Sequence, residues 1–287
     1  MTPEPTNGDD AGEARRRVVG GRDLVVAIAV GLVLAALFLG SLFWHPVAFM
    51  VVVALITTAA YVEAGRVLAG IGLRIEVPVL VVATLVMLFG AYQARYAGQG
   101  IGVAVLLVGC VVWLLADPAR RDVLRTLATT TFFGLWVGFL ASFAVLLVNR
   151  PSTGSFAVLA VVGAAALTDI GGYAFGVPFG RHKVAPSISP SKSWEGLAGG
   201  LVVAVAGGAF VLPLLSSAFT PLIGAVVAGV SGLASFTGDL LESMVKRDLE
   251  VKDLGSILPG HGGVLDRVDG VLFALPFGYY AVELLMV

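Results

Sequence analysis

Long apolar runs separated by short polar breaks occupy nearly the whole chain. A helix that crosses a bilayer needs about 20 mostly apolar residues. Nine stretches approach or meet that length: 24–43, 47–62, 77–93, 101–116, 126–148, 155–176, 197–216, 222–241 and 270–287. The second, third and fourth are the shortest, and the fifth opens on a Thr-rich segment suited to the interface. Two breaks differ from the rest: 177–196 and 242–269 are long, charged and rich in glycine, proline and serine. The pattern predicts an all-α, polytopic integral membrane protein with nine transmembrane helices.

The chain divides into three regions. Residues 1–22 are polar, with proline, glycine and both charge signs, and read as a disordered cytoplasmic tail. Residues 23–154 hold the N-terminal transmembrane helices. Residues 155–287 hold the remaining helices and both charged loops. Arg15–Arg17 ahead of an apolar run would also suit a signal peptide. That run is about 20 residues rather than the usual 7–15, and no clear A-x-A site follows, so a retained first helix is expected.

Composition identifies the solvent. The 287 residues are 58% hydrophobic and 13% charged, with mean hydropathy +0.96. Soluble domains are about 45–50% apolar and about 25% charged, so the excess implies lipid. A net charge of −1 gives no electrostatic footprint for nucleic acid. The single cysteine, Cys110, excludes an intramolecular disulfide and a Cys-based zinc site.

Charge also orients the helices. With the N-terminus in the cytoplasm, sixteen of the eighteen lysines and arginines fall in cytoplasmic segments, and only Arg95 and Arg150 fall outside. Cytoplasmic loops carry such an excess. Loops 177–196 and 242–269 then share the cytoplasmic side, where nucleotides are.

The eighth stretch ends TGDLLESMVKRD. Asp239, Glu242, Ser243 and Lys246 recur at i, i+3, i+4 and i+7, which places them on one helix face. A solvated helix end is the bland alternative, but ionisable groups at membrane depth are costly and usually functional. LPGHGGVLDRVDG follows. Its Gly260, Gly262 and Gly263 permit positive φ and close backbone approach. Successive N–H groups in such a loop can bind an anion, with His261 donating to a phosphate oxygen. A structural turn would explain the glycines equally well. Asp266 and Asp269 flank Arg267. Hard oxygen ligands suit Mg²⁺, and arginine and lysine suit phosphate. Asp239, Asp266 and Asp269 with Lys246, Arg247, Lys252 and Arg267 thus form the equipment of phosphoryl or nucleotidyl transfer.

In the segment 168–196, Asp169 lies inside the sixth stretch and needs a partner, whether a metal, a lysine or a helix N-terminus. Helix packing is the alternative. Arg181, His182, Lys183 and Lys192 add cations, Trp194 suits an interfacial anchor, and His45 at a helix end reads as structural. No G-x-x-x-x-G-K-S/T loop, H-E-x-x-H or convincing G-x-S-x-G is present, which argues against P-loop pumps and zincins.

The run Ser243-x-x-Lys246-Arg247, Lys252-Asp253, Pro259-Gly260-His261-Gly262-Gly263-x-x-Asp266-Arg267-x-Asp269 resembles the signature of the phosphatidate cytidylyltransferases, or CDP-diacylglycerol synthases. SISPSKSWEG (187–196) resembles the family's S-P-K-K-T-W-E-G, with Ser191 in place of the first lysine and Ser193 in place of the threonine. DIGGYAFG (169–176) resembles its D-T-G-A-Y-x-x-G. The likeness is good over 155–287.

The resemblance implies a multi-span α-helical enzyme, usually a homodimer, that makes CDP-diacylglycerol and pyrophosphate from CTP and phosphatidic acid. It implies a bacterial plasma membrane location. It implies Mg²⁺ with K⁺ as second cation, Asp239 and Asp266 as the first metal ligands, then Asp269 and Asp169. It places Asp239, Ser243, Lys246, Arg247, Lys252, His261 and Arg267 in catalysis, and Lys183, Ser189, Lys192, Ser193, Gly260, Gly262 and Gly263 in substrate binding. The alternatives are an enzyme for another lipid phosphate, a lipid kinase, and a transporter of phosphorylated solutes. A transporter would spread charge along a pathway and often carries inverted repeats; neither is evident. The D-G-x-x-A-R pattern of CDP-alcohol phosphotransferases is absent.

Overall fold

The computed structural model describes residues 28–118, 122–255, 257 and 262–286. Eight helices appear in chain order: α1 (Ile28–Trp44), α2 (Pro46–Gly70), α3 (Val77–Ala116), α4 (Val123–Val148), α5 (Gly154–Phe179), α6 (Trp194–Leu215), α7 (Pro221–Asp248) and α8 (Leu265–Leu285). Seven of these, α2 to α8, are long and apolar enough to cross a membrane, and α1 is shorter. Proline in the first turn opens α2, α3 and α7, where its missing N–H has no helical partner anyway. His45 caps α2, its Nδ1 accepting from the Val47 N–H at 3.2 Å, and Thr220 caps α7. This agrees with a structural His45.

The expected third and fourth spans are one element. In α3 the dihedrals leave the helical region only at Ala94 and Arg95, with Arg95 at φ 52°. The chain reverses there. A Cβ on Gly90 would lie 2.5 Å from the Gly98 carbonyl oxygen, and one on Gly102 2.7 Å from the Met87 nitrogen. Residues on either side of the break therefore run antiparallel, backbone against backbone. The nine expected stretches correspond to eight helices because α3 supplies two of them as a hairpin. The single-residue caps that would mark two separate helices are missing from so tight a reversal.

The helix ends also differ from expectation. α7 continues to Asp248 and α8 starts at Leu265, so charged residues assigned to a loop are helical. Their charges are paired across the two helices, as described below, and this offsets the cost of holding them near the bilayer. Segment 177–196 is not all irregular either. Lys183–Ala185 (β1) and Ser189–Ser193 (β2) form an antiparallel pair, with Lys183 opposite Ser193 and Ala185 opposite Ser189.

Two apolar clusters fill the interior. One gathers Leu42, Phe49, Phe143, Leu147, Val161 and Tyr279. The other gathers Tyr61, Leu80, Met87, Trp136, Leu254 and Leu265. Both draw on each side of the 154/155 boundary. Large apolar side chains such as Leu32, Val108, Phe210 and Leu284 face outward, as lipid contact requires. Arg95 and Arg150 both meet Glu283, and Arg95 also donates to the Tyr279 hydroxyl at 2.8 Å. Glu283 lies about 25 Å along α8 from Asp266 at 1.5 Å per residue. The two exceptional arginines thus gather at the opposite end of α8 from Asp266.

α5, α6, α7 and α8 pack most closely, through glycines. A Cβ on Gly208 would strike the Gly224 carbonyl oxygen and come within 2.6 Å of the Ala228 Cβ. Gly208→Val is therefore expected to destabilise the fold by about 3 kcal/mol. Heat unfolding in detergent should show a midpoint several degrees lower; an unchanged midpoint would contradict backbone contact at this crossing.

Candidate active site

Charged side chains converge where α7, α8, β2 and the end of α5 meet. The local sequence explains how they get so close. On α7 glycine precedes the aspartate (Gly238-Asp239), and on α8 it follows one (Asp269-Gly270). A Cβ on Gly238 would lie 2.7 Å from the Asp269 carbonyl oxygen, and one on Gly270 3.0 Å from Asp239 Oδ1. Only glycine lets these helices cross so closely, and the crossing brings the two carboxylates together. On α5, Gly171, two residues after Asp169, packs on Gly200 of α6.

Lysines neutralise part of this charge. Lys192, at the end of β2, donates to Asp239 Oδ2 at 2.7 Å, and its Nζ sits 4.8 Å from the Phe236 ring centroid. Lys246 bridges Glu242 Oε2 at 2.7 Å and Asp266 Oδ1 at 3.0 Å. Asp266 also accepts from the Gly263 N–H at 3.0 Å and the Leu254 N–H at 3.4 Å.

Three cavities meet here. A polar one of about 330 Å³ is lined by Asp169, Lys192, Asp239, Glu242, Ser243, Asp266, Arg267 and Asp269. A mainly apolar one of about 450 Å³ shares Asp169, Lys192 and Asp239 with it and adds Tyr173, Val177, Lys183, Ser193 and Phe236. Tyr173 and Val177 are mostly exposed, on the outward face of α5. A third, of about 250 Å³, shares Ser243 with the first and holds Ser189, Ser191, Lys246, Arg247 and Lys252. Arg247 Nε donates to the Ile188 carbonyl oxygen at 3.2 Å, which fixes the hairpin over α7.

Every described residue expected at the site lies in this region. The four aspartates, Lys192, Ser243 and Arg267 share the polar cavity; Lys183 and Ser193 line the apolar one; Ser189, Lys246, Arg247 and Lys252 line the third. Ser193 has a second task, since its hydroxyl caps α6 by accepting from the Gly196 N–H at 3.1 Å. Gly262 adopts φ +81°, and Gly263 has no room for a Cβ beside the Gly255 backbone. Gly260 and His261 lie outside the described residues. His182 is directed elsewhere, with Nδ1 2.6 Å from Glu195. Two acids gain importance beyond the sequence reading. Glu242 is buried at the polar cavity, with Oε1 lacking a hydrogen-bond partner among the described residues. Glu63 reaches the site from α2, and its only sequence signal is an acid at the end of an apolar run.

The donor set fits a hard cation. Five carboxylates border the polar cavity, against Lys192, Lys246 and Arg267. All the acidic donors are oxygens, and one of them, Glu242 Oε1, is buried without a partner among the described residues. Among the described residues no three are yet drawn together around one point, and lysines hold Asp239 and Asp266. The chemistry suits Mg²⁺, which takes one or two carboxylates and otherwise water and phosphate.

Comparison with known proteins identifies the family. The cytidylyltransferase family matches residues 25–285. A phosphatidate cytidylyltransferase of Mycobacterium bovis is 36% identical over 281 residues, covering 94% of this chain and 91% of its own. One of Mycobacterium leprae is 38% identical over 267 residues, covering 88% and 85%. One of Bacillus subtilis is 44% identical over 119 residues, covering 41% and 44%. With the family matched from α1 to the end of α8, this chain belongs to the cytidylyltransferases.

Proposed function

We propose that this membrane protein is a phosphatidate cytidylyltransferase, which transfers CMP from CTP to phosphatidic acid and releases CDP-diacylglycerol and pyrophosphate in phospholipid biosynthesis. One observation carries the reading. A cavity with an apolar, outward wall and a cavity walled by Lys246, Arg247 and Lys252 both open into one carboxylate centre. A lipid anion and a water-soluble anion have to meet in such a place.

The lipid enters along Tyr173, Val177 and Phe236, its acyl chains remaining in the bilayer. Its phosphate stops at Lys192 and Lys183. The triphosphate of CTP lies along Lys246, Arg247 and Lys252, with Ser189 and Ser243 as neutral donors. A phosphate oxygen of the lipid attacks the α-phosphorus of CTP in line. The bond from that phosphorus to the β-phosphate bridging oxygen breaks, and pyrophosphate leaves. No general base is required, because a phosphate monoester is already mostly dianionic near pH 7. Asp239, Asp266 and Asp269, with Asp169 beside them, would hold Mg²⁺, which when bound neutralises phosphate charge. The positive-inside count supports a site on the cytoplasmic face.

The test uses purified protein in nanodiscs with α-labelled CTP, phosphatidic acid and Mg²⁺. Label should move to the lipid phase. Folded protein that leaves all label in water would overturn the proposal, and γ-labelled nucleotide with other lipid acceptors would then test a lipid kinase.

A further inference from the structure

Glu63 stands outside everything the reaction uses, yet it is one of the most buried charged residues described, 2% exposed. It lies on α2, in the N-terminal half of the chain. Among the described residues its carboxylate pairs with no lysine or arginine; it meets backbone. Oε1 accepts from the Ile257 N–H and Oε2 from the Val264 N–H, each at 2.5 Å. These partners are 194 and 201 residues away and belong to the two arms of the segment between α7 and α8.

Asp266 repeats the arrangement from the other side. It accepts from Leu254 on one arm and Gly263 on the other. Two carboxylates therefore take up four N–H groups, one from each arm apiece, and hold the arms together. The glycines fit this purpose. A Cβ on Gly255 would collide with the Glu63 carboxylate, and one on Gly263 would lie 2.8 Å from the Gly255 nitrogen. Any side chain at either position would part the arms. A buried carboxylate bonded by N–H groups loses much of its desolvation cost, whereas buried N–H groups left without an acceptor are destabilising. The described arms are thus held in one arrangement, and Glu63 fixes it from α2.

We infer that Glu63 is a positioning residue for the two described arms between α7 and α8, 254–255 with Ile257 and 262–264: it holds them against Asp266 and Lys246 and so sets where the nucleotide phosphates bind. The N-terminal helices then act on the reaction through one side chain. This rests on the transferase reading given above. Glu63 touches no reacting atom, so its effect should fall on the nucleotide and not on the lipid.

Glu63→Gln tests this with shape preserved. Glutamine offers one acceptor and turns a donor toward the second N–H. In nanodiscs, the KM for CTP should rise about 10-fold or more, as small misplacements of a site do. The KM for phosphatidic acid should change little, and the heat-unfolding midpoint should fall by no more than a few degrees. Amide hydrogen exchange should rise at Ile257 and Val264 while Leu254 and Gly263, held by Asp266, stay protected. Glu63→Asp should recover part of the CTP affinity. An active wild type whose Glu63→Gln variant keeps its KM for CTP would overturn the inference and leave the transferase reading intact. Equal loss toward both substrates with a lower midpoint would also overturn it, because that pattern marks a purely structural residue. An inactive wild type would count against the transferase reading, and the exchange measurement would still decide whether Glu63 holds the loop.

Discussion

Asp266→Asn is expected to reduce CMP transfer by at least about 10³-fold while the protein still folds. Asp266 is the point where three requirements coincide. Its Oδ1 receives Lys246, its Oδ2 receives the Gly263 N–H, and its side chain faces the polar cavity. Asparagine keeps the volume but accepts at one oxygen only. Either Lys246 or a loop N–H then loses its partner, and the cavity loses one of five carboxylates. Removing one preorganised electrostatic contact costs about 10²–10³ in rate, and disturbing the loop position adds to this. The measurement is lipid-phase label from α-labelled CTP over a Mg²⁺ titration, beside the heat-unfolding midpoint. The Mg²⁺ concentration at half-maximal rate should also rise, by at least about 10-fold, since replacing even a residue that only orients a metal ligand costs about 10–100-fold. A variant within tenfold of wild type at every Mg²⁺ concentration would remove Asp266 from the centre of the site.

Much of this was legible in the sequence, and the particular gaps have physical causes. The i, i+3, i+4, i+7 spacing of Asp239, Glu242, Ser243 and Lys246 placed them on one face, and the structure puts three of them around one cavity with Lys246 bridging two of its acids. Helix periodicity acts over a few residues and is readable. The Lys192–Asp239 pair spans 47 positions and depends on a hairpin folding over α7, which no local pattern specifies. The reversal within α3 takes only Ala94 and Arg95 and carries neither proline nor glycine at the turn itself, so the two apolar runs were readable but not their hairpin contact. Glu63 went unseen because its partners are backbone groups, which leave no mark in composition. Ser193 shows the converse. A resemblance assigned it to substrate, and the fold also uses it as a helix cap.

Lys192→Met should lower kcat/KM for phosphatidic acid by about 10²-fold. Lys192 lines both the apolar and the carboxylate cavities, so it stands where a lipid phosphate passes from one to the other. Methionine retains a long flexible stem and contact with Phe236, which separates loss of charge from loss of packing. Without the ammonium, Asp239 keeps a half-buried carboxylate with no cation at 2.7 Å. The lipid phosphate then approaches a more negative site and loses its point-charge contact. Lys192→Arg should restore only part of the activity, since a planar fork does not reproduce a compact ammonium between Asp239 and the Phe236 ring. The double variant Lys192→Met with Asp239→Asn decides how the two residues are linked. If Lys192 acts mainly by holding Asp239, the double variant should be no worse than Asp239→Asn alone, as for residues that work as a unit. If the two losses multiply, Lys192 contacts the lipid phosphate independently of Asp239. A Lys192→Met enzyme with unchanged kcat/KM for phosphatidic acid would exclude both roles and move the lipid phosphate toward Lys183, the other lysine in the apolar cavity.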